Sequence, residues 1–439
     1  MRRVVLVILA VVIVAIAAPF ALAWRSAIDP IEPPPRASFD PQRIAGGALL
    51  ATLGDCNACH TAEGGRTYAG GRALETPFGV IHGTNITPDP DTGIGRWSEA
   101  AFVRAMREGI DRDGRHLYPA FPYNHFTRVT DEDLGALYAY FMTREPVRAE
   151  PPQNALSFPF NIRALVAGWN LLFLDRTPWQ PDAQQSADWN RGAYLVEGLA
   201  HCGACHTPRN SLGGERRDAR FGGGEIEGWH APALNAAAAA PVPWTAERLF
   251  TYLRAGQEAA HGSTTGPMAP VVHNLATVPA SEVRAIATYV ASWNAQGAAE
   301  PRQAGEALLT RVQQGELPFL AARDAGQDAG ARVFAATCSV CHDAGREVHD
   351  SSRALNLALS TAVRAPTPRN LYNFILYGLR PDEGQRGRWM PGFATALTDE
   401  QILALATWLR RAAGAEPWSD MTAALRQARR ASPEAYAER

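Results

Sequence analysis

All six cysteines of the chain fall into three copies of one pattern, Cys56-Asn-Ala-Cys59-His60, Cys202-Gly-Ala-Cys205-His206 and Cys338-Ser-Val-Cys341-His342, and none is left over. C-x-x-C-H is the attachment signature of c-type haem: two thiols one helical turn apart add to the haem vinyl groups, and the next residue offers an imidazole to the iron. A redox dithiol and a zinc site built from Cys pairs compete for the same spacing. Neither needs His directly after the second Cys, three times over. The pattern predicts three covalently bound haem c groups, with His60, His206 and His342 as iron ligands.

The similarity extends beyond the motif, which marks a tandem array. A Gly-led apolar stretch precedes each copy (GGALLATLGDC, RGAYLVEGLAHC, AGARVFAATC), and a Gly/Pro-rich loop follows it. A second helix is predicted in WSEAAFVRAMREG, WTAERLFTYLRAG and TPRNLYNFILYG, with Ser98 and Thr245 as N-caps and Gly109, Gly256 and Gly378 closing all three. A third is predicted in TDEDLGALYAYFM, SEVRAIATYVASW and TDEQILALATWLR, where Thr398 and Gln401 have capping-box spacing. Each unit is therefore a small, mostly helical domain whose thin core is completed by the group it binds. The predicted boundaries are 41–144, 187–298 and 324–413, joined by linkers at 145–186 and 299–323 and followed by a tail at 414–439.

An iron that only relays electrons keeps a second axial ligand, usually Met or His. Met390 in RWMPGF and Met268 in TTGPMAP lie in equivalent Pro/Gly loops between the second and third helices and are the expected ligands. In the first unit the same register lands on Phe121, in LYPAFPYNHFT, which has no lone pair to give. Met106 aligns with Leu253 and Ile375 at a core position of the second helix and Met142 sits near the end of the third, so neither is a convincing ligand. His125, four residues on in the same loop, is the expected ligand, with His116, His82 and an open iron as the alternatives. Bis-His ligation would set this iron at a lower potential than its Met-ligated neighbours.

The N-terminus carries Arg2 and Arg3 before an uncharged apolar run, Val4 to Trp24, long enough to cross a bilayer. Its length favours an uncleaved transmembrane anchor over a signal peptide, although Ala21-Leu22-Ala23 resembles a cleavage site. In both readings the arginines stay cytoplasmic and the body is exported. A proline-rich spacer occupies 25–40. The linker's centre, Phe158 to Leu174, is strongly apolar and is expected to bridge the first two domains, the alternative being a docking surface for a partner or the membrane. A net charge of −2 excludes a nucleic-acid partner by bulk field. Gly222-Gly223-Gly224 lacks the Lys-Ser/Thr of a phosphate loop and is expected to be a flexible turn; Asp131 and Asp133 suit a helix start.

Past the anchor, the segments GDCNACHTAEGG, TPFGVIHGTNITPDPDTGIGRWSEAAFVRAMREGI, LYPAFPYNHF, FPFNIRALVAGWNLLF, HCGACHTPRN and GPMAPVVHNL resemble the tri-haem cytochrome c subunits of membrane-bound bacterial dehydrogenases, such as those for alcohol and gluconate. The resemblance implies three tandem class I cytochrome c-type domains behind an N-terminal transmembrane helix. It also implies an electron-transfer subunit, not itself an enzyme, on the periplasmic side of the bacterial inner membrane. Such a subunit takes electrons from a dehydrogenase catalytic subunit and passes them to ubiquinone or a terminal oxidase. The alcohol type has Met where this chain has Phe121. Phe with a nearby His looks more like the cytochromes paired with molybdopterin and iron-sulfur dehydrogenases for aldehydes or N-heteroaromatic compounds such as nicotinate. Asn85 of the TNIT loop is matched by Ala233 in the second unit, so its polar contact is not simply repeated. Two other classes stand beside this reading: a peroxidase-like haem enzyme, which needs an open iron, and a haem store with no partner.

Overall fold

A computed structural model of the chain describes residues 23–295, 299–314, 328–342, 355–380 and 389–430. It is helix-rich, with short antiparallel pairings such as Ala73–Thr76 with Gly79–His82, and Gly224–Ile226 with Trp229–Ala231. The helices start where their caps place them. Ser98 accepts from the Ala101 N–H and Thr245 from the Arg248 N–H, and Thr398 and Gln401 form a complete capping box. Gly109, Gly256 and Gly378 close the three middle helices as expected.

The described chain packs as two compact units, Met1–Ala204 with Arg209–Arg216, and Cys205–Pro208 with Arg217–Arg439. Sequence repeats and packing units thus do not coincide. The leading helix of the second repeat, Ala187–Tyr194 continued by Leu195–Leu199, belongs to the first unit, where the Tyr194 hydroxyl donates to Asp133 (2.5 Å) and accepts from the Thr130 N–H (3.2 Å).

In the first unit, Pro41–Leu53 crosses Asp131–Met142 so closely that a Cβ on Gly47 would stand 2.0 Å from the Ala136 carbonyl oxygen. Only glycine permits that approach, and it brings Leu50 and Leu53 into a core with Phe102, Leu134, Leu137 and Phe141. Met106 is buried in that core, as its helix position requires, and Met142 is buried there too. The second unit repeats the device: Ala329–Thr337 crosses Asp399–Ala412 at Gly330, where a Cβ would stand 2.2 Å from the Ala404 oxygen. The segment after Ala413, expected to be a tail, is part of this core. Helix Met421–Arg430 buries Leu425 and Ala428, and the Trp418 indole donates to the Ala365 carbonyl (2.8 Å). Met421, Ala424, Leu425 and Ala428 recur at three and four residues along this helix, so its apolar face does show in the sequence, between arginines on the other side.

Among the described residues no helix is long and apolar enough to cross a membrane. The run expected as an anchor lies, up to Leu22, outside the described residues.

Candidate functional site

The three motifs form short helices, Cys56–His60, Gly203–His206 and Ser339–His342, each ending at its His. In every copy the imidazole Nδ1 bonds a main-chain carbonyl: His60 to Thr84 (2.7 Å), His206 to Pro232 (2.7 Å) and His342 to Leu355 (2.9 Å). A carbonyl only accepts, so Nδ1 carries the proton and the Nε2 lone pair is left for a metal. Loss of solvent lowers the affinity of all three rings for a second proton, against the opposing pull of the carbonyl. Each of the three imidazoles is thus held neutral and oriented by the same contact.

The first two copies share a fuller frame. Asp55 and His201, directly before the first Cys, both adopt left-handed backbone (φ 51° and 37°). Tyr68 and Phe221 do so again (φ 65° and 55°), their N–H groups bonding Thr61 Oγ1 and Thr207 Oγ1 at 3.1 Å each. Gly70 donates to the His60 carbonyl and Gly223 to that of His206 (2.8 and 2.9 Å). A Cβ on Gly83 would lie 1.9 Å from the Cys59 oxygen, and one on Gly224 2.3 Å from the Cys205 oxygen. Gly222-Gly223-Gly224 is therefore a fixed backing for the motif and not merely a flexible turn, which no pattern of side chains could reveal.

These features fit covalent haem c and not the competing readings. Burial, then the charges of Asp55 and Cys59, push the Cys56 thiol up to about 12, and burial raises Cys338 as well, against the lowered values that make a dithiol reactive. Among the described residues no cluster of three His, Cys, Asp or Glu side chains is placed to hold zinc.

The expected distal ligands differ in setting. Met268 opens helix Met268–Thr277, and Met390 is fixed by two main-chain bonds to Leu379 (3.0 Å each). Phe121 packs against Tyr123 and Phe126, with ring centroids 6.3 and 5.4 Å away. His125 is buried in the short helix Tyr123–Phe126, but both ring nitrogens are engaged: Nε2 with Glu215 Oε1 (2.7 Å) and Nδ1 with the Glu197 carbonyl (3.1 Å). Ligation of an iron by His125 would require Nε2 to leave Glu215. Neither partner was legible, since each lies more than 70 residues away and one is a backbone oxygen. Among the alternatives, His116 bonds the Ala23 carbonyl through Nε2 (2.9 Å), while its buried Nδ1, like that of His82, has no hydrogen-bond partner among the described residues.

Residues 44–145 match the cytochrome c family model, and residues 325–409 match that of cytochrome c oxidase, cbb3-type, subunit III. A nicotinate dehydrogenase subunit of Pseudomonas putida is 46% identical over 412 residues, 93% of this chain, which spans about a third (34%) of that relative's length. The fructose dehydrogenase cytochrome subunit of Gluconobacter japonicus is 36% identical across 87% of this chain and 81% of its own. The cytochrome c subunit of the quinone alcohol dehydrogenase of Gluconacetobacter polyoxogenes is 34% identical across 88% and 83%. With its repeated Nδ1-anchored histidines, the chain belongs to the cytochrome c subunits of dehydrogenase complexes, as an electron-transfer subunit rather than a catalytic one.

Proposed function

We propose that the chain carries three haem c groups and relays electrons from a dehydrogenase catalytic subunit to ubiquinone or a terminal oxidase, on the periplasmic face of an inner membrane it enters through Val4–Trp24. The observation that carries the count is the Nδ1-to-carbonyl contact, present at His60, His206 and His342 alike. Each haem c supplies a one-electron iron couple whose potential the axial ligands set. The chain's own part is to fix those ligands. Thr84, Pro232 and Leu355 hold the proximal tautomer, Met268 and Met390 stand at the distal positions of repeats two and three, and Phe121 occupies that position in repeat one. The intact mass of the holoprotein tests the count: three covalent haem additions are expected, and two would overturn it.

The preferred partner is a molybdopterin and iron-sulfur dehydrogenase for an aldehyde or an N-heteroaromatic compound, supported by the likeness to the nicotinate dehydrogenase subunit and by Phe121. A quinoprotein or flavoprotein partner is the second reading, favoured by the likeness to the alcohol and fructose dehydrogenase subunits. Purifying the complex from membranes and identifying the cofactor of the co-purifying subunit separates the two.

A further inference from the structure

We propose that Phe158–Leu172 is a second membrane contact, lying in the lipid headgroup region beside the N-terminal anchor; this rests on reading Val4–Trp24 as a retained anchor. The linker's apolar centre does not simply bury itself. Val166 and Ala167 face inward and Trp169 packs on Tyr123, but Phe158 is 79% exposed, Leu171 72%, Leu172 62% and Leu165 54%. So much apolar area in one short segment marks a surface that meets something other than water.

Two observations make that partner lipid. Residues 158–173 contain a single charge, Arg163, and it is turned toward the protein: its guanidinium donates to the His116 carbonyl (2.9 Å) and lies 4.8 Å above the Tyr118 ring. The segment itself thus offers no charged group to pair with a protein partner's polar rim. His116 also holds the start of the described chain, its Nε2 bonding the Ala23 carbonyl, while the Ile28 N–H donates to the Arg112 carbonyl (2.8 Å). One residue, His116, therefore bonds both the end of the apolar N-terminal run and Arg163 in the middle of the exposed segment. An anchor that ended at Ala23 would hold Phe158–Leu172 close to the membrane surface through His116. Exposed Trp24 at the junction is the residue type that settles at that depth.

The test uses the full-length holoprotein in nanodiscs of phosphatidylcholine and phosphatidylglycerol. Its six native cysteines are taken up by haem, so Leu171→Cys or Phe158→Cys gives one thiol for a nitroxide label. Val11→Cys serves as the anchor reference and Glu63→Cys as the aqueous one. The expected result is that labels at 158 and 171 lose collisions with a water-soluble nickel chelate and gain them with dissolved oxygen, relative to 63. If position 171 behaves like 63 while 11 is buried, the anchor stands and this proposal falls. If 11 is also aqueous, the anchor reading fails and takes the proposal with it. Shielding of 171 only when a dehydrogenase subunit is added would make the surface a protein interface and overturn the proposal.

Discussion

The ligand loop of repeat one and those of repeats two and three solve different problems with the same scaffold. Twelve residues after the closing glycine, repeats two and three place Met268 and Met390, whereas repeat one places Phe121. The loop without Met is also tightly fastened. Tyr123 is fully buried with its hydroxyl on Asn170 (2.6 Å), and His125 is clamped between Glu197 and Glu215. A thioether loop needs only to present one soft donor; an aromatic loop excludes water and fixes its neighbours. The position is thus shared by the three repeats while the residue type that fills it is not.

The largest effects should come from exchanging ligand types between repeats. Met390→His and Met268→His should each lower the potential of one haem by on the order of 0.2 V, about 5 kcal/mol for one electron, and leave the others in place. Spectropotentiometry reads this directly; an unchanged titration would remove that Met from the ligand set. Phe121→Met should do the reverse in repeat one, raising a single potential by a comparable or smaller amount. It should also abolish carbon monoxide binding to the reduced protein if that iron is open. No shift would mean that Phe121 does not face the iron and that the register shared by the three repeats fails there.

A smaller effect concerns the clamp. Burial alone would raise the Glu215 carboxyl, but the hydrogen bond from His125, with its charge, Arg209 and Asn124, overrides this and holds it at about 2, below the ordinary 4.5. A depressed carboxylate contributes stability that is fully present above the ordinary value and is lost as pH falls toward about 2. Glu215→Gln should therefore cost about 3 kcal/mol at neutral pH and flatten the acid limb of urea-unfolding stability between those two values. An acid limb as steep as in the parent would show that the His125–Glu215 pair is not what holds the loop.

What could be read beforehand follows the range of the interactions. Cys56, Cys59 and His60, the cap at Ser98 and the closing Gly109 are local rules within a turn or two of helix, and they stand where expected. The proximal carbonyls do not show in sequence because Thr84, Pro232 and Leu355 act through their backbones, which carry no letter. Glu215 is one more loop acid until the folded chain brings it to His125.

The smallest effect separates repeat one from repeat two at the loop that backs the proximal His. Asn85 is buried, its amide donating to the carbonyls of Val147 (2.7 Å) and Ala149 (3.2 Å) while its oxygen accepts from the Thr87 N–H (2.9 Å). It therefore fastens the chain leaving repeat one and touches neither His60 nor the Thr84 carbonyl through its side chain. Asn85→Ala should cost about 1–2 kcal/mol, seen as a lower urea midpoint at constant slope, because buried acceptors lose their donor. In repeat two Ala233 stands in its place and the turn keeps its main-chain bond, Leu234 N–H to the Phe221 carbonyl (2.9 Å). Ala233→Asn should thus change stability by less than about 0.5 kcal/mol and move no potential. A potential shift from either variant would mean that this loop tunes the iron rather than simply holding its ligand's carbonyl in place.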